Sequence, residues 1–262
     1  PFSTLLASGT KSTMARNAVD IDSNLVENRK VVLENAMVGQ WSSVQGESAY
    51  LNSTLRTLLS SSGTDMDAFL NDETLQQEFT EQVFPELLSY LRLDSSSGLF
   101  LILGNGGDLG AEQDHVGFFL RDSDPTTKTD TNSDLLFERG RKTLARQSDI
   151  ALDSSWSPAF HFMGEGVRGA DDFFYTPYRA ALENKDASMS DLGYWALPFI
   201  LEDHPLDNHQ MITYSVPLIC GGTVYGVLGT EVSVSYLCNN YLPVRDLDRN
   251  QNAGYAIAID GV

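Results

Sequence analysis

Between Pro1 and Pro85 the chain contains no proline, and the first part of that stretch carries one narrow apolar seam. Met14, Ala18, Ile21, Leu25 and Val32 follow a 4-3-4-7 spacing, and the seam then drifts to Leu33, Met37, Trp41 and Val44. Such spacing places side chains along one side of a helix. The reading is one long helix from residue 4 to about residue 46. About 40 helical residues reach roughly 60 Å, more than a compact domain needs. Part of this helix is therefore expected to protrude, as a stalk or a dimer seam. Two shorter helices broken near Gly39 or Gly46 are the other reading.

Residues 47–93 read as further helix, interrupted at Ser61-Ser62-Gly63. Asn71 or Asp72 can cap a stretch through Leu75, Phe79, Val83, Leu87, Leu88 and Leu91. The period then changes. Residues 98–103 form a short buried strand closed by Gly104-Asn105-Gly106-Gly107, and 116–121 is its expected hairpin partner. A polar stretch from Asp122 to Ser133 leads to an expected short helix around 135–145. The stretch 153–182 is aromatic and irregular, with Thr176-Pro177 expected to open a helix over 178–182. Three strands follow, at 194–201, 210–219 and 223–234, the last two joined across Gly221-Gly222. A helix is expected near 235–241. This order predicts an α+β fold: a long N-terminal helix packed on a PAS-like five-stranded antiparallel sheet.

Charge narrows the partners. The chain has 262 residues, 36 Asp+Glu against 17 Lys+Arg, and a net charge of −19. Residues 1–62 contain five bases and five acids, so the whole excess lies in the remaining 200. A nucleic-acid or anionic-membrane surface would require clustered cations instead. Hydrophobic residues make up 42 %, enough for a sizeable core. No run of 18 apolar residues exists and no signal peptide is visible. Both ends look cut, so the expectation is a piece of a longer protein, attached to a membrane only through helices outside this chain. Cys220 lies at the hairpin turn and Cys238 beyond a strand of over 30 Å at about 3.3 Å per residue, so both are expected to be free thiols.

Familiar catalytic patterns are missing. The glycine-rich 104–110 loop lacks the helix N-terminus and lysine of a phosphate loop, and reads as a hairpin loop. Counted from Asp122, an EF-hand would need Gly at position six and Glu at twelve; Thr127 and Ser133 stand there. His115, His161, His204 and His209 form no zinc motif. No GxSxG elbow occurs, and no carboxylate pair stands out. The chain is not expected to be an enzyme, nor to hold a metal or cofactor.

The final hairpin is more informative. If Cys220 faces Thr223, then Tyr214 faces Gly229 and Ile212 faces Glu231. Tyr214 and Glu231 would then share a face, with an empty place at Gly229. A glutamate in an apolar strand is costly unless paired. Glu231 either receives a cationic ligand group in a pocket walled by aromatic rings, or pairs with Arg179 or backbone donors in a covered core. A three-residue turn would move it to the other face.

The run Phe174-Tyr175-Thr176-Pro177-Tyr178-Arg179-Ala180-Ala181 resembles the segment leading into the pocket helix of double Cache sensor domains. Residues 191–199 (DLGYWALPF) look like their third strand, and 212–218 (ITYSVPL) with 224–233 (VYGVLGTEVS) like their fourth and fifth. The resemblance implies an extracytoplasmic sensor of a bacterial transmembrane receptor, joined to a histidine kinase, diguanylate cyclase or chemoreceptor. It implies a signalling helix over 1–46, a membrane-distal ligand-binding module over 47–240, and the start of a truncated membrane-proximal module over 241–262. Many members bind amino acids. Tyr178 matches the family tyrosine and Glu231 the acid that takes the amine, but Tyr175 and Thr176 stand where an arginine and a tryptophan are expected. An amine or similar small polar ligand therefore fits better than a standard α-amino acid. The expected ligand-binding set is Trp156, Tyr175, Tyr178, Arg179, Tyr194, Trp195, Tyr214 and Glu231. The alternative is a structural ectodomain with a collapsed pocket that dimerises through the long helix.

Overall fold

A computed structural model describes residues 2–94, 96–125, 127, 129, 131–201 and 210–241. The expected start of a second module, over 242–262, lies outside the described residues. Helix α1 (Phe2–Ser62) runs for 61 residues without a break at Gly39 or Gly46. It spans roughly 90 Å at 1.5 Å per residue and passes the boundary expected at residue 46. It ends at the Ser61-Ser62-Gly63 stop, where Gly63 takes φ +68°, the left-handed conformation that closes helices.

The two halves of α1 differ. Val44, Ser48, Leu51, Leu55 and Leu58 are buried at 4-3-4-3 spacing. Met14 and Ile21, from the earlier part of the seam, are 67 % and 66 % exposed. Leu25, Leu33 and Met37 are half-buried. The stretch 11–38 thus stands largely outside the core of the described residues, as the expected protruding segment.

Asp65 caps the short α2 (Met66–Asn71) through Ala68 N. Asp72 Oδ1 accepts from Thr74 N and Leu75 N at the start of α3 (Glu73–Asp94). These caps satisfy helix-end donors that would otherwise lack partners. Together α1 and α3 cover one face of the sheet.

The strands are β1 (Gly98–Leu103), β2 (Gln113–His115), β3 (Gly117–Asp122), β4 (Leu135–Arg139), β5 (Ala151–Ser157), β6 (Phe160–Phe162), β7 (Tyr194–Trp195), β8 (Met211–Cys220) and β9 (Thr223–Ser233). Seven form one sheet in the order β5-β4-β3-β1-β9-β8-β7, and β2 pairs with β6 in a separate ribbon. Only β4–β5 is parallel within the large sheet. Its centre, β3-β1-β9-β8-β7, is the expected pair of strands plus a three-strand meander, and the architecture is α+β and PAS-like.

Besides β5 and β6, which occupy part of the stretch expected to be irregular, three details depart from expectation. The helix expected over 135–145 is strand β4 followed by a short α4 (Lys142–Gln147). Leu135 and Phe137 point one way into the core at strand period, and pairing with β3 decides the conformation. The helix expected over 178–182 is α5 (Asp172–Glu183), so Thr176-Pro177 lies inside it rather than at its start. Phe173, Phe174, Pro177, Tyr178 and Ala181 form its buried face, and that burial outweighs the proline's lost hydrogen bond. The strand expected over 194–201 shortens to β7 plus an isolated bridge between Phe199 and Met211. Leu197 and Pro198 lie between these two pairings.

The sheet separates two cores, as its alternating side chains require. Leu99, Leu101, Leu103, Phe118 and Leu120 face α1 and α3. Phe100, Ile102 and Phe119 face the crossover that contains β6, α5 and α6 (Met189–Leu192). Cys220 is buried and Cys238 exposed, and both are free thiols.

Candidate functional site

The β8–β9 hairpin decides which side chains can meet. Gly221 and Gly222 have φ +59° and +80°, as a two-residue type I′ turn demands. Cys220 faces Thr223 and Ile219 faces Val224, as expected. A bulge between Leu218 and Ile219 then shifts every later pair by one. Tyr214 faces Thr230, Ser215 faces Gly229, and Thr213 faces Glu231. The one-residue slip puts Tyr214 and Glu231 on opposite faces of the sheet. The space at Gly229 is not empty either: Phe100 on β1 pairs with it, and its ring lies where a Cβ at Gly229 would be.

The eight expected residues divide accordingly. Tyr175, Tyr178 and Tyr194 belong to the crossover side of the sheet. Glu231 shares that side with its strand neighbour Val227. Tyr214 belongs to the helix side, with Trp156 packed against the same core. Trp195 packs against Tyr214 with ring centroids 4.8 Å apart and the planes tilted by 40°. Trp156 Nε1 donates to Gly140 O at 3.0 Å. Arg179 pairs with Glu165, Nε to Oε1 at 3.0 Å, and does not reach Glu231. Tyr178 donates to Val224 O at 3.4 Å, and Gly104 leaves the room its hydroxyl occupies.

On the crossover face the aromatic rings are in mutual contact. Phe100 lies 5.0 Å from Phe173 and 5.8 Å from Phe119, and Phe173 stacks on Phe199 at 5.2 Å. Next to this aromatic layer lies a buried charged cluster. Gly98 on β1 pairs with Arg121 on one side and Glu231 on the other. Having no side chain, it lets these two meet across the strand: Arg121 Nε is 3.3 Å from Glu231 Oε2. Arg121 also pairs through its terminal nitrogen with Glu138 of β4. Ser97 Oγ donates to Glu231 O and to Ser233 N it offers an acceptor, tying the strand end to the cluster. Glu138 and Glu231 are both 0 % exposed and Arg121 is 7 % exposed. Burial pushes the Glu138 carboxyl up to about 8, against the pull of Arg121 and with a further push from Glu231.

Of Glu231's two sequence readings, a third arrangement is found: its partner is Arg121, not Arg179. Arg121 and Glu138 were absent from the expected set. The signal for Arg121 was present, since it follows Phe119 at strand period and stands opposite Gly98 in the β1–β3 hairpin. Glu138 was hidden because 135–139 reads as helix.

Two further features sit elsewhere. A cleft of about 490 Å³ is lined by residues including Asn71, Gln76, Asn105, Asp114, His115 and Arg141, and by none of the eight expected residues. His115 is 1 % exposed and its Nδ1 lies 2.8 Å from Leu103 O, with Phe162 and Phe174 against its ring. Burial drives its pKa down to about 4. The acidic stretch after β3 is organised by a cation of the chain itself. Arg92 donates to Asp134 Oδ1 at 2.5 Å, to Asp122 Oδ2 at 3.3 Å and to Thr131 O at 2.8 Å. Among the described residues no group of three or more His, Cys, Asp or Glu is placed to hold a metal ion.

No family model and no curated protein matches the chain. Solved structures that resemble it include the sensory domain of the Campylobacter jejuni chemoreceptor Tlp3 (CcmL), at 17 % identity and TM-score 0.32, over 78 % of this chain and 60 % of that one. The ligand-binding domain of the same chemoreceptor in complex with L-valine matches at 16 % identity and TM-score 0.33, over 79 % and 60 %. The extracellular domain of the putative histidine kinase soHK1S-Z6 matches at 15 % identity and TM-score 0.29, over 83 % and 66 %. The chain spans about three fifths of the length of the two chemoreceptor domains. Among the described residues no helix is long and apolar enough to cross a membrane.

Proposed function

We infer that this chain is an extracytoplasmic small-molecule-sensing domain of a bacterial transmembrane signalling protein, without enzymatic activity. The observation that carries the reading is the placement of a buried charged cluster, Glu231–Arg121–Glu138, on the sheet face covered by the aromatic crossover. Buried ionic groups are expensive, and a module that needed only a stable core would do better with apolar side chains there. The opposite face docks the base of a helix whose far half stands outside the core, an arrangement suited to carrying a displacement away from the site.

In this reading a small polar ligand, such as an amine or an amino-acid-like molecule, enters between crossover and sheet. It exchanges part of the Arg121–Glu231 contact for its own charged groups. Glu231 offers acceptors to a cationic group, Arg121 offers donors to an acceptor, and the Phe119, Phe100 and Phe173 rings beside Arg121 wall the space. Movement of the crossover shifts the sheet against α1. A ligand biases signalling only by its differential affinity for the two arrangements. Localisation at the outer face of the membrane, homodimerisation through α1, and a distal-module role for 47–240 belong to the same proposal.

The second reading is a structural or dimerising ectodomain with no ligand. It is favoured by the direct Phe100–Phe173–Phe199 packing, which leaves the crossover closed on the sheet. A thermal-shift screen over amines, amino acids, organic acids and purines separates the two. A ligand at 100 times its Kd adds about 2.7 kcal/mol, and Arg121→Met should abolish that shift. A screen without a hit, together with concentration-dependent dimerisation in sedimentation, would favour the structural reading.

A further inference from the structure

Glu138 and Glu231 reach Arg121 from β4 and β9, on either side of the β3–β1 pair. One guanidinium thus serves two fully buried carboxylates, and Glu138 Oε2 finds no hydrogen-bond partner among the described residues. Arg139 of β4 donates to Glu138 O and Ser155 O on the backbone. Asp153 of β5 adds another acid, which accepts from Ser155 N and Oγ. Asp153 is only half-buried, but within the triad one guanidinium faces two carboxylates that are both 0 % exposed, an excess of one negative charge out of contact with water. A desolvated, uncompensated carboxylate neutralises itself by taking a proton.

We propose that the Glu138–Arg121–Glu231 triad carries one bound proton in the folded protein near neutral pH, held on Glu138, and that losing it loosens the pairing of β4 with β3. The ladder is already irregular there, with register shifts between Phe119 and Leu120 and between Phe137 and Arg139. Local opening costs least where pairing is interrupted. Burial, the largest influence on the Glu138 carboxyl, moves it in the required direction, to about 8. The inference does not depend on a ligand, and makes the domain responsive to protons whatever else it senses.

The direction of the pH effect follows by linkage. A carboxyl whose folded value lies above its unfolded one binds its proton more tightly in the native state. Stability therefore falls as pH rises from about 4.5 to about 8. The unfolding equilibrium constant, from urea titrations at pH 6.5 and 7.5, should rise about tenfold over that unit, the slope for one proton. In Glu138→Gln it should stay constant across this window, and the variant should be the more stable protein at pH 8. Asp171→Asn is the control. Burial lifts Asp171 only to about 6, so its removal should alter the slope below pH 6 and leave the upper window unchanged. Carboxyl ¹³C titration of the native protein, assigned from its backbone, reads Glu138 directly and does not depend on any variant folding. Amide hydrogen exchange along β4, corrected for base catalysis, should accelerate between pH 6.5 and 8 in the native sequence only. A flat native slope between pH 6.5 and 7.5, or a Glu138 resonance titrating below about pH 5, would overturn the bound proton. Unchanged β4 exchange would overturn the loosening of the β3–β4 pairing.

Discussion

Arg121 and Glu231 meet across a strand that belongs to neither of them, because the residue between them is Gly98. Arg121 Nε lies 3.3 Å from Glu231 Oε2. A Cβ on Gly98 would come within 2.5 Å of that same oxygen, 2.9 Å of the Glu231 Cβ and 3.0 Å of the Phe119 ring. Gly98→Ala should therefore cost about 1–3 kcal/mol, the usual penalty of overpacking, with the ion pair displaced. Urea unfolding measures the loss, and a variant as stable as the parent would contradict the contact across β1.

Phe100 and Gly229 form a similar fitted pair one step along the sheet. Gly229→Ala would drive a methyl group into the Phe100 ring. Phe100→Leu alone should leave a partial void, and each single change should destabilise by about 1–3 kcal/mol. The double variant should be more stable than the sum of the two losses predicts, by at least about 0.5 kcal/mol of coupling. Strict additivity in denaturant titrations would show that the two positions do not compete for the same space.

His115 should resist protonation. Its pKa is pushed down to about 4 by burial, the hydrogen bond to Leu103 O opposing this in part. The unfolded chain, near 6.5, binds the proton first, so native stability is fully present above about pH 6.5 and is lost as pH falls through about 4. The full effect is roughly 3 kcal/mol. Proton–nitrogen NMR of the imidazole should show a neutral ring at pH 5.5, and a charged ring at that pH would refute the buried geometry.

The acidic stretch after β3 should depend on Arg92 rather than on an added ion. The Asp134 carboxylate is held below the usual range by its hydrogen bond to Arg92. Asp122, deeper in, is raised by desolvation despite the same guanidinium. Arg92→Ala should expose 123–134 to limited proteolysis while the core stays folded, and millimolar calcium should not restore protection. Rescue by calcium would instead indicate an ion site in the stretch.

Most of the architecture was legible along the chain. A proline-free run with a drifting apolar seam is compatible with little except a long helix, and α1 runs through both glycines. Glycine pairs and stretches of apolar residues located β1, β3, β8 and β9 to within a residue or two. The failures have local causes. Residues 135–139 carry no distinctive period, and only the free edge of β3 makes them a strand. Thr176-Pro177 is a sound helix start by itself, but the aromatic residues before it gain more by joining α5 and burying against the sheet.

The candidate site shows the same division. Sequence alone singled out Glu231 as an acid in an apolar strand that needs a partner, and the structure buries it completely. It also marked the crossover tyrosines. The partner could not be found that way, because Arg121 lies 110 residues away in sequence and reaches Glu231 only across Gly98. Nor could the face of Tyr214 be decided, since one bulge at Leu218–Ile219 reverses every side chain beyond it. Helix, strand and turn follow from spacings of a few residues, which the chain carries locally. Register and charge pairing depend on contacts between distant strands, and only the folded sheet decides them.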